Sequence, residues 1–259
     1  MAETTMRRGT QARHDALVVL LRTGVASVQT LAARVGVSPS TLRRDLTQLE
    51  QDGRIARTYG GAIVRDVFQE RSFNESALIN QEAKAAIAAA AVELIPAKAT
   101  IFLDAGTTCL ALAGALTERG RLTVVTRGLE SAMLLSRCAQ IDVVMLGGHV
   151  RPLSHGVVGP MASMAFERLA FDVAFLGADA VDPVRGLGEP TTEETYVKEQ
   201  AALRSGQVVL LADASKLGPS NVPAWLPLEP SWTLLTDGRI DASTAEAFAD
   251  KGIRVLTAG

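Results

Sequence analysis

The sequence predicts an α/β protein in two parts, an N-terminal winged helix-turn-helix and an open, mostly parallel α/β sheet domain. Two observations support this. The first fifty residues show three helical patterns and then a short Gly-rich hairpin pattern. Farther along, short apolar runs alternate with helical patterns, as is typical of buried parallel strands covered on both faces. We expect the first domain at 1–66, an irregular polar linker at 67–81 and the second domain at 82–259.

The first two helical patterns are short and have clear ends. An apolar stripe around Arg13–Arg22 ends at Gly24. Ser27 is a plausible N-cap for a helix over Val28–Val35, and Gly36 breaks that helix after two turns. The spacing therefore predicts two helices joined to a third by a tight turn.

The third helix is predicted from Pro39 to about Gln51. Ser38 and Pro39 form the start signal, because proline is pre-organised for the first helical position. One face is apolar and carries Leu42, Leu46 and Leu49. The other face carries polar side chains, namely Ser40, Arg43, Arg44, Thr47 and Gln48. Such a division of faces predicts a helix that packs on one side only.

A small hairpin follows the third helix. Two short runs, Ile55-Ala56-Arg57 and Ala62-Ile63-Val64, flank the segment Thr58-Tyr59-Gly60-Gly61. Two runs separated by a Gly-containing turn predict a β-hairpin, which would form the wing.

This arrangement points to double-stranded DNA as a partner. A helix-turn-helix places the polar face of its second helix in the major groove, where arginine binds guanine or phosphate. A solvated charged helix in a small bundle explains any single arginine equally well, but not the combination of caps, turn, split faces and hairpin. The residues expected to contact DNA are Ser38, Ser40, Thr41, Arg43, Arg44, Gln48, Arg57 and Tyr59.

The distribution of charge agrees with this interpretation. The chain has a formal net charge of −2, but residues 1–60 contain nine arginines, no lysine and five acidic residues. A positive N-terminal segment on an acidic body suggests a module that binds a polyanion.

Composition excludes several other classes. No stretch of the 259 residues approaches the roughly 18 apolar residues that cross a bilayer, so no membrane association is expected. Cys109 and Cys138 are the only cysteines and cannot form a disulfide framework. With His14, His149 and His155 as the only histidines, we expect no metal centre and no cofactor. A reducing cytoplasm is the expected location.

The second domain is predicted to alternate strands and helices. The candidate strands are Ile101–Leu103, Leu122–Thr126, Asp142–Leu146, Val173–Leu176, Val208–Leu211, Thr233–Leu235 and Arg254–Leu256. The helical patterns between them are Thr108–Glu118, Leu129–Cys138, Met161–Leu169, Thr192–Arg204 and Ser243–Lys251.

The turn Asp104-Ala105-Gly106-Thr107-Thr108 is the second feature that carries chemistry. It lies between a predicted strand and the helix that follows. Free backbone N–H groups and the helix dipole make such a turn an anion cradle, and the threonine hydroxyls can donate hydrogen bonds to phosphate. An ordinary capped loop would look the same in isolation.

Other polar residues also follow predicted parallel strands, at the sheet edge where open α/β sheets bind ligands. Several of them together favour a phosphorylated sugar or polyol, whereas Lys198 or Asp213 alone would suggest an ion pair or a cap. His149 and His155 are expected near the mouth of the pocket, where a surface loop is slightly favoured over contact with the effector. The residues expected to bind the small molecule are Asp104, Gly106, Thr107, Thr108, Thr126, Arg127, Gly148, Asp179, Lys198, Asp213 and Lys216.

The run GVSPSTLRRDLTQLEQDGRIARTYGGA resembles the N-terminal signature of the DeoR family of bacterial transcriptional regulators. The resemblance continues from Arg71 to Lys84 and over nearly all of the second domain, where DAGTT, LTVVT, LGG, GAD, ADASK and the pair Glu194 and Lys198 carry it. It implies a domain similar to ribose-5-phosphate isomerase that binds a sugar-phosphate effector. It also implies a repressor of a carbohydrate operon. Because helix-turn-helix proteins usually bind two half-sites, we expect a homodimer or homotetramer.

The sequence departs from the family pattern in three places. Tyr59 stands where most members have histidine, and Arg127 replaces an asparagine. His155 and Gly156 interrupt a serine-rich run around Ser154. Because these residues fall in the wing and around the expected pocket, the identity of the effector is not carried over from the family.

The alternative hypothesis is an enzyme, a sugar-phosphate isomerase or deaminase that uses Asp179 and Asp182. The run Arg185-Gly186-Leu187-Gly188 lacks the lysine of the isomerase's Lys-Gly-Gly-Gly segment, which removes an expected electrophile. A dinucleotide-binding domain is disfavoured because the first βα turn has no G-x-G-x-x-G pattern. We therefore expect a regulator and not an enzyme.

Overall fold

The computed structural model describes residues 13–14, 16–21, 27–51, 55–58, 61–64 and 68–259. The chain folds as two compact units, Met1–Val67 and Phe68–Gly259. None of the helices in these described ranges has the length and apolar character to span a bilayer.

The first unit has the predicted helix-turn-helix and wing. Its elements are α1 (helical residues 13–14 and 16–21), α2 (Val28–Val35), α3 (Pro39–Gln51), β1 (Ile55–Thr58) and β2 (Gly61–Val64). Gly36 ends α2 with φ 68°, a left-handed conformation that glycine adopts without strain. Ser27 occupies the predicted N-cap position, although its side chain accepts no capping hydrogen bond.

A shared apolar core holds these elements together. It is formed by Leu17, Val18, Leu21, Leu31, Ala32, Leu42, Leu46, Leu49 and Ile55. The apolar face predicted for α3 is therefore buried. Burial on this scale stabilises a small unit because each fully buried leucine contributes about 1.5–3 kcal/mol relative to an exposed one.

Asp45 adds a polar contact that sequence patterning did not reveal. Its carboxylate is buried in the middle of α3 and accepts hydrogen bonds from Arg13 Nε at 2.7 Å and Arg13 Nη2 at 2.9 Å. His14 Nε2 lies 3.2 Å from the same carboxylate. Burial alone would raise the pKa of Asp45, but Arg13 and His14 hold it below its ordinary value. The ion pair fixes α1 against α3.

The second unit is built around a seven-stranded sheet. Its central elements are β3 (Thr100–Leu103), β4 (Leu122–Thr126), β5 (Ile141–Met145), β8 (Phe171–Leu176), β11 (Ser205–Leu211), β13 (Thr233–Asp237) and β14 (Arg254–Ala258). The strand order is β14-β13-β11-β8-β3-β4-β5, and every pairing is parallel. The predicted fold class is confirmed.

The helices of the second unit lie along its chain as α4 (Phe73–Ala77), α5 (Gln81–Val92), α6 (Thr107–Leu116), α7 (Leu129–Leu135), α8 (Pro160–Phe166), α9 (Thr192–Leu203) and α10 (Ala242–Ala249). A single 3-10 turn covers Ala214–Lys216. The strand side chains alternate between two cores, since Phe102 belongs to one and its neighbours Ile101 and Leu103 belong to the other. This alternation shows a sheet that is covered on both faces.

The order of the strands creates a crevice at the centre of the sheet. From β3 the chain proceeds outward through β4 to β5, then returns to β8 and proceeds in the opposite direction through β11, β13 and β14. In open α/β sheets, ligands bind at the carboxyl ends of the strands where the order reverses. That point lies here between β3 and β8.

Several short strands were not predicted. They are β6 (His149–Val150), β7 (Val157–Val158), β9 (Ala180–Asp182), β10 (Gly186–Glu189) and β12 (Ala224–Leu226). They form an antiparallel pair, β6-β7, and an antiparallel three-stranded sheet of order β12-β10-β9. Strands of two to four residues are too short for an alternating pattern to show in the sequence.

The structure corrects the prediction of a linker at 67–81, because Phe68 and all residues after it belong to the second unit. The segment contains the helix α4, which begins with a capping box between Ser72 and Glu75. Phe73 is buried. The sequence looked irregular because a five-residue helix shows no helical periodicity, and the apolar contact that anchors it comes from a distant part of the chain.

Candidate functional site

The polar face of α3 is open to solvent, opposite the buried leucines. Its exposed residues include Ser38, Ser40, Arg43, Arg44 and Gln48, and Thr41 is half-buried. This is the face that sequence analysis predicted would contact DNA. An amphipathic second helix with exposed arginines is the geometry by which helix-turn-helix units enter the major groove.

The start of α3 is held by its serine and threonine hydroxyls. Thr41 N–H donates to Ser38 Oγ at 3.1 Å, which confirms Ser38 as the cap. Ser38 Oγ also lies 2.8 Å from Ser40 Oγ and 2.9 Å from Thr41 Oγ1. The three hydroxyls therefore form one cluster at the N-terminus of the helix, where backbone N–H groups attract phosphate.

The predicted wing is present as an antiparallel hairpin. Arg57 lies in β1, paired with Ala62 in β2. The side chain of Arg57 and the whole of Tyr59 fall outside the described residues. The DNA contacts expected of these two residues remain predictions.

The second unit has an open cleft at the carboxyl ends of β3 and β8. The residues that line the cleft are Glu70, Arg71, Phe73, Ser76, Ala105, Gly106, Thr107, Thr108, Cys109, Arg127, Leu153, Ser154, Gly177, Ala178, Asp179, Glu189, Glu194, Lys198 and Lys216.

Seven of the predicted ligand-binding residues line this cleft, namely Gly106, Thr107, Thr108, Arg127, Asp179, Lys198 and Lys216. Gly106 precedes α6 with φ 101°, a conformation that strains residues with a side chain, so the turn requires glycine. The turn places the N-terminus of α6 and both threonines at the cleft. The turn and helix start predicted from the sequence are therefore present at the cleft, and anion binding there stays a prediction.

Four predicted residues lie elsewhere. Thr126 is fully buried, and its hydroxyl accepts a hydrogen bond from Gly128 N–H at 3.1 Å. Gly148 precedes β6 and has a φ of 149°. A Cβ atom at this position would lie only 2.5 Å from the Val158 carbonyl oxygen, so the position requires glycine. Both residues shape the surroundings of the cleft and do not line it.

Asp104 and Asp213 are also absent from the lining. Asp213 caps the 3-10 turn by accepting from Ser215 N–H at 3.1 Å, and it accepts from Asn80 Nδ2 at 2.7 Å. Asp104 is completely buried beneath the cleft. Their sequence positions after β11 and β3 are those of ligand-binding residues, but their carboxylates are already occupied by protein donors.

The floor of the cleft is a network of buried charges centred on Asp104. One of its oxygens accepts from Arg127 Nε and the other from Lys198 Nζ. Lys198 Nζ also lies 3.0 Å from Glu189 Oε1, and Arg127 Nη2 lies 3.6 Å from Glu194 Oε1. These five residues are at most 4% exposed. Burial would raise the pKa of Asp104, but Arg127 and Lys198 hold it below its ordinary value.

Two departures from the family pattern meet in this floor. A Cβ atom on Gly156 would lie 2.5 Å from Arg127 Nη1 and 2.9 Å from the Ala105 side chain. Because Gly156 has no side chain, there is room beside it for the Arg127 guanidinium. Arg127 Nη1 has no hydrogen-bond partner among the described residues, although it is buried. Arg127 and Gly156 therefore act as one structural unit.

Glu189 is a floor residue that sequence analysis missed, because nothing local distinguishes it at the end of the short strand β10. Burial raises its pKa from 4.5 to about 7, although Lys198 opposes the rise. Between these two values the folded protein binds a proton that the unfolded chain has released. The free energy of unfolding therefore falls as the pH rises through this window.

We expect urea denaturation to reveal this titration. Between pH 5 and pH 8 the wild type should lose roughly 1–3 kcal/mol of stability relative to Glu189→Gln, whose side chain does not titrate. A difference between the two proteins that stays constant across these pH values would show that Glu189 is not the group responsible.

Asp182, which the enzyme hypothesis requires, does not line the cleft. Its carboxylate accepts hydrogen bonds from Val184 N–H and Arg185 N–H, both at 2.8 Å. These contacts stabilise the turn between β9 and β10. A carboxylate used in this way is not placed to move a proton on a ligand in the cleft.

A helix-turn-helix unit followed by an α/β domain with an open cleft is the architecture of a transcriptional regulator that carries a sensor domain. Residues 13–67 match the family model "DeoR-like helix-turn-helix domain", and residues 79–238 match "DeoR C terminal sensor domain". The chain belongs to the DeoR family of transcriptional regulators and binds DNA.

Curated relatives agree with this assignment. The "HTH-type transcriptional regulator GlpR" of Haloferax volcanii is 36% identical over 231 residues, covering 89% of this chain and 90% of the relative. The "Putative aga operon transcriptional repressor" of Escherichia coli O157:H7 is 30% identical over 255 residues, covering 97% and 95%. Such relatives are regulators and not enzymes, and this chain is likewise a regulator.

Among solved structures, ribose 5-phosphate isomerase A from Neisseria gonorrhoeae is similar with a TM-score of 0.39 and 24% identity, covering 52% of each chain. A likeness of this size is too small to assign any property of the isomerase to the cleft.

Proposed function

We propose that this protein is a repressor of a carbohydrate-metabolism operon and that a phosphorylated sugar or polyol, bound in the cleft of the second unit, weakens its binding to operator DNA. The observation that carries the proposal is the meeting of the N-terminus of α6 with Lys216 at the central crevice of the sheet. Lys216 has no carboxylate partner among the described residues, so its charge is available to an anion.

The phosphate would bind at the start of α6. There Thr107 and Thr108 offer hydroxyl and backbone donors, and the helix dipole favours negative charge. Lys216 Nζ, which now donates to the Ala178 carbonyl oxygen, would supply the cation. All three residues line the same cleft.

The hydroxyl groups of the ligand would face the charged floor. Asp179 and Glu189 line the cleft and offer acceptors, whereas the ammonium of Lys198 already faces Asp104, Glu189 and the Gly177 carbonyl oxygen. Arg127 Nη1 is a donor without a partner among the described residues. Polar groups of both kinds beside an anion cradle suit a phosphorylated compound with several hydroxyls better than inorganic phosphate alone.

The assembly and location are parts of the same proposal. Helix-turn-helix regulators bind two half-sites of an operator, so we propose a homodimer or homotetramer. The two cysteines are unpaired. This agrees with a reducing cytoplasm, where DNA and phosphorylated metabolites are found.

A thermal-shift screen tests the ligand assignment. The wild type is heated with a panel of sugar and polyol phosphates, each paired with its unphosphorylated counterpart. We expect at least one phosphorylated compound to stabilise the protein, by about 2.7 kcal/mol at a hundred times its dissociation constant.

Thr107→Val keeps the shape of the side chain but removes the hydroxyl at the cradle, and it should reduce this stabilisation. If every phosphorylated compound leaves the melting temperature unchanged, the cleft is not a sugar-phosphate site. If the protein converts any compound of the panel into a product, that result would favour the alternative hypothesis of an isomerase or deaminase.

A further inference from the structure

The segment Phe68–Ala77, here called the strap, forms one wall of the cleft. Glu70, Arg71, Phe73 and Ser76 all line it. The strap is also the first part of the second unit, so the chain passes directly from the DNA-binding unit into it. A ligand in the cleft would therefore lie beside the first residues of the second unit.

Specific contacts attach the strap to the loop between β6 and β7. Phe73 N–H donates to the Leu153 carbonyl oxygen at 2.7 Å. The Phe73 ring stacks on His155, with 5.1 Å between ring centroids and 16° between ring planes. Arg151 Nη2 lies 2.5 Å from Glu70 Oε2. The position of the strap thus depends on a hydrogen bond, a ring contact and an ion pair.

The same loop is joined to the floor of the cleft. Arg151 Nη1 donates to Glu194 Oε2, and Ser154 Oγ donates to Glu194 Oε1 at 3.0 Å. Glu194 in turn lies 3.6 Å from Arg127 in the buried network. Floor, loop and strap therefore form one continuous chain of polar contacts beside the cleft.

Arg71 is the unexplained member of the strap. It is exposed, lines the cleft, and has no ion pair or hydrogen bond with any residue that the structure describes. Its charge acts weakly on Glu75, whose pKa is lowered mainly by hydrogen bonds with Ser72 and to a smaller extent by Arg71. Lys216 lines the same cleft. Both cations act on Lys84, whose pKa is lowered first by its burial and then by Lys216, with a smaller contribution from Arg71 and partial compensation by Asp213. Arg71 and Lys216 therefore both interact electrostatically with Lys84 and border the same cleft.

We propose that Arg71 binds the anionic group of the effector together with Lys216, and that this contact transmits occupancy of the cleft to the strap. The proposal rests on the proposed function, which supplies the phosphorylated ligand. Arginine suits the role because its planar guanidinium forms two parallel hydrogen bonds with phosphate oxygens.

The consequence for regulation follows from linkage. A ligand shifts an equilibrium between two conformations only if it binds one of them better. A ligand that recruits Arg71 favours strap positions in which the guanidinium points into the cleft. Because the strap continues into the DNA-binding unit, that preference is a route by which the ligand alters DNA affinity.

The test uses inorganic phosphate as the probe and the full chain throughout. The dissociation constant for phosphate is measured by calorimetry at constant ionic strength. Four proteins are compared: the wild type, Arg71→Ala, Thr107→Val and Arg137→Ala. Arg137 is an exposed arginine of the same unit that lies outside the cleft, so it is the matched control. We expect binding about tenfold weaker in Arg71→Ala and in Thr107→Val, and unchanged binding in Arg137→Ala.

A second readout follows the strap itself. Hydrogen-deuterium exchange of the peptide covering residues 68–77 should slow when phosphate is added to the wild type, and should not respond in Arg71→Ala. If Arg71 merely attracted phosphate from a distance, Arg71→Ala would bind phosphate more weakly, but bound phosphate would still slow exchange in the strap.

The outcomes separate this proposal from the function on which it rests. If Thr107→Val loses phosphate binding while Arg71→Ala binds as the wild type does, the role of Arg71 is wrong and the cleft assignment stands. If the wild type binds no phosphate, or Thr107→Val binds it undiminished, both proposals fall. Equal strap protection in Arg71→Ala and wild type contradicts the transmission step.

Discussion

Replacing Arg43 and Arg44 together by alanine is expected to weaken binding to operator DNA by about 30-fold or more. Both side chains are exposed on the polar face of α3, opposite the buried leucines. Each arginine that contacts a base or a phosphate contributes about 1–3 kcal/mol, and loss of phosphate contacts also lowers the dependence of affinity on salt. The measurement is fluorescence anisotropy with a duplex selected by the wild type from a random pool, at two salt concentrations.

The matched control is again Arg137→Ala, which removes an exposed arginine from the second unit and should leave DNA affinity unchanged. Thermal melting of each variant separates lost contact from lost fold. An affinity of Arg43→Ala/Arg44→Ala within about threefold of the wild type would show that α3 is not the recognition helix.

Asp104→Asn is expected to be the most destabilising single change in the floor of the cleft, with a loss of about 3–5 kcal/mol of unfolding free energy. Asp104 is fully buried, and its carboxylate pairs with both Arg127 and Lys198. The amide has no negative charge, so it leaves two buried cations short of compensation. Urea denaturation at neutral pH measures the effect.

Asp142→Asn makes the same chemical change at an exposed position of β5 and should alter stability by no more than about 0.5 kcal/mol. A loss below about 1 kcal/mol in Asp104→Asn would mean that the buried network does not depend on this carboxylate. That result would favour the interpretation based on sequence alone, in which the Asp104 carboxylate binds the ligand.

The sequence predicted the large elements because their patterns are local. The capping serine Ser38, the turn glycine Gly36 and the divided faces of α3 are each visible within a few residues. The seven central strands were all located, since each is an apolar run between helical patterns. Strand order was not predicted, because the pairing of β3 with β8 joins segments about seventy residues apart.

The site was predicted in outline and not in its contacts. Residues such as Thr107 and Lys216 were found because they follow strands whose carboxyl ends share one edge of the sheet. Asp104 was expected to face the ligand, but its partners lie 23 and 94 positions away in the chain. No local pattern shows that Arg127 and Lys198 satisfy it. The strap was missed for the same reason, since its docking depends on Leu153 and His155.

The central claim is that a ligand in the cleft of the second unit controls DNA binding by the first. It is tested most directly by measuring the affinity for the selected duplex with and without each sugar phosphate of the panel and its unphosphorylated counterpart, at constant ionic strength. We predict that at least one phosphorylated compound raises the Kd for DNA by about fivefold or more in the wild type, while its unphosphorylated counterpart does not. A compound that binds the cleft, stabilises the protein and leaves the Kd for DNA unchanged would contradict the account.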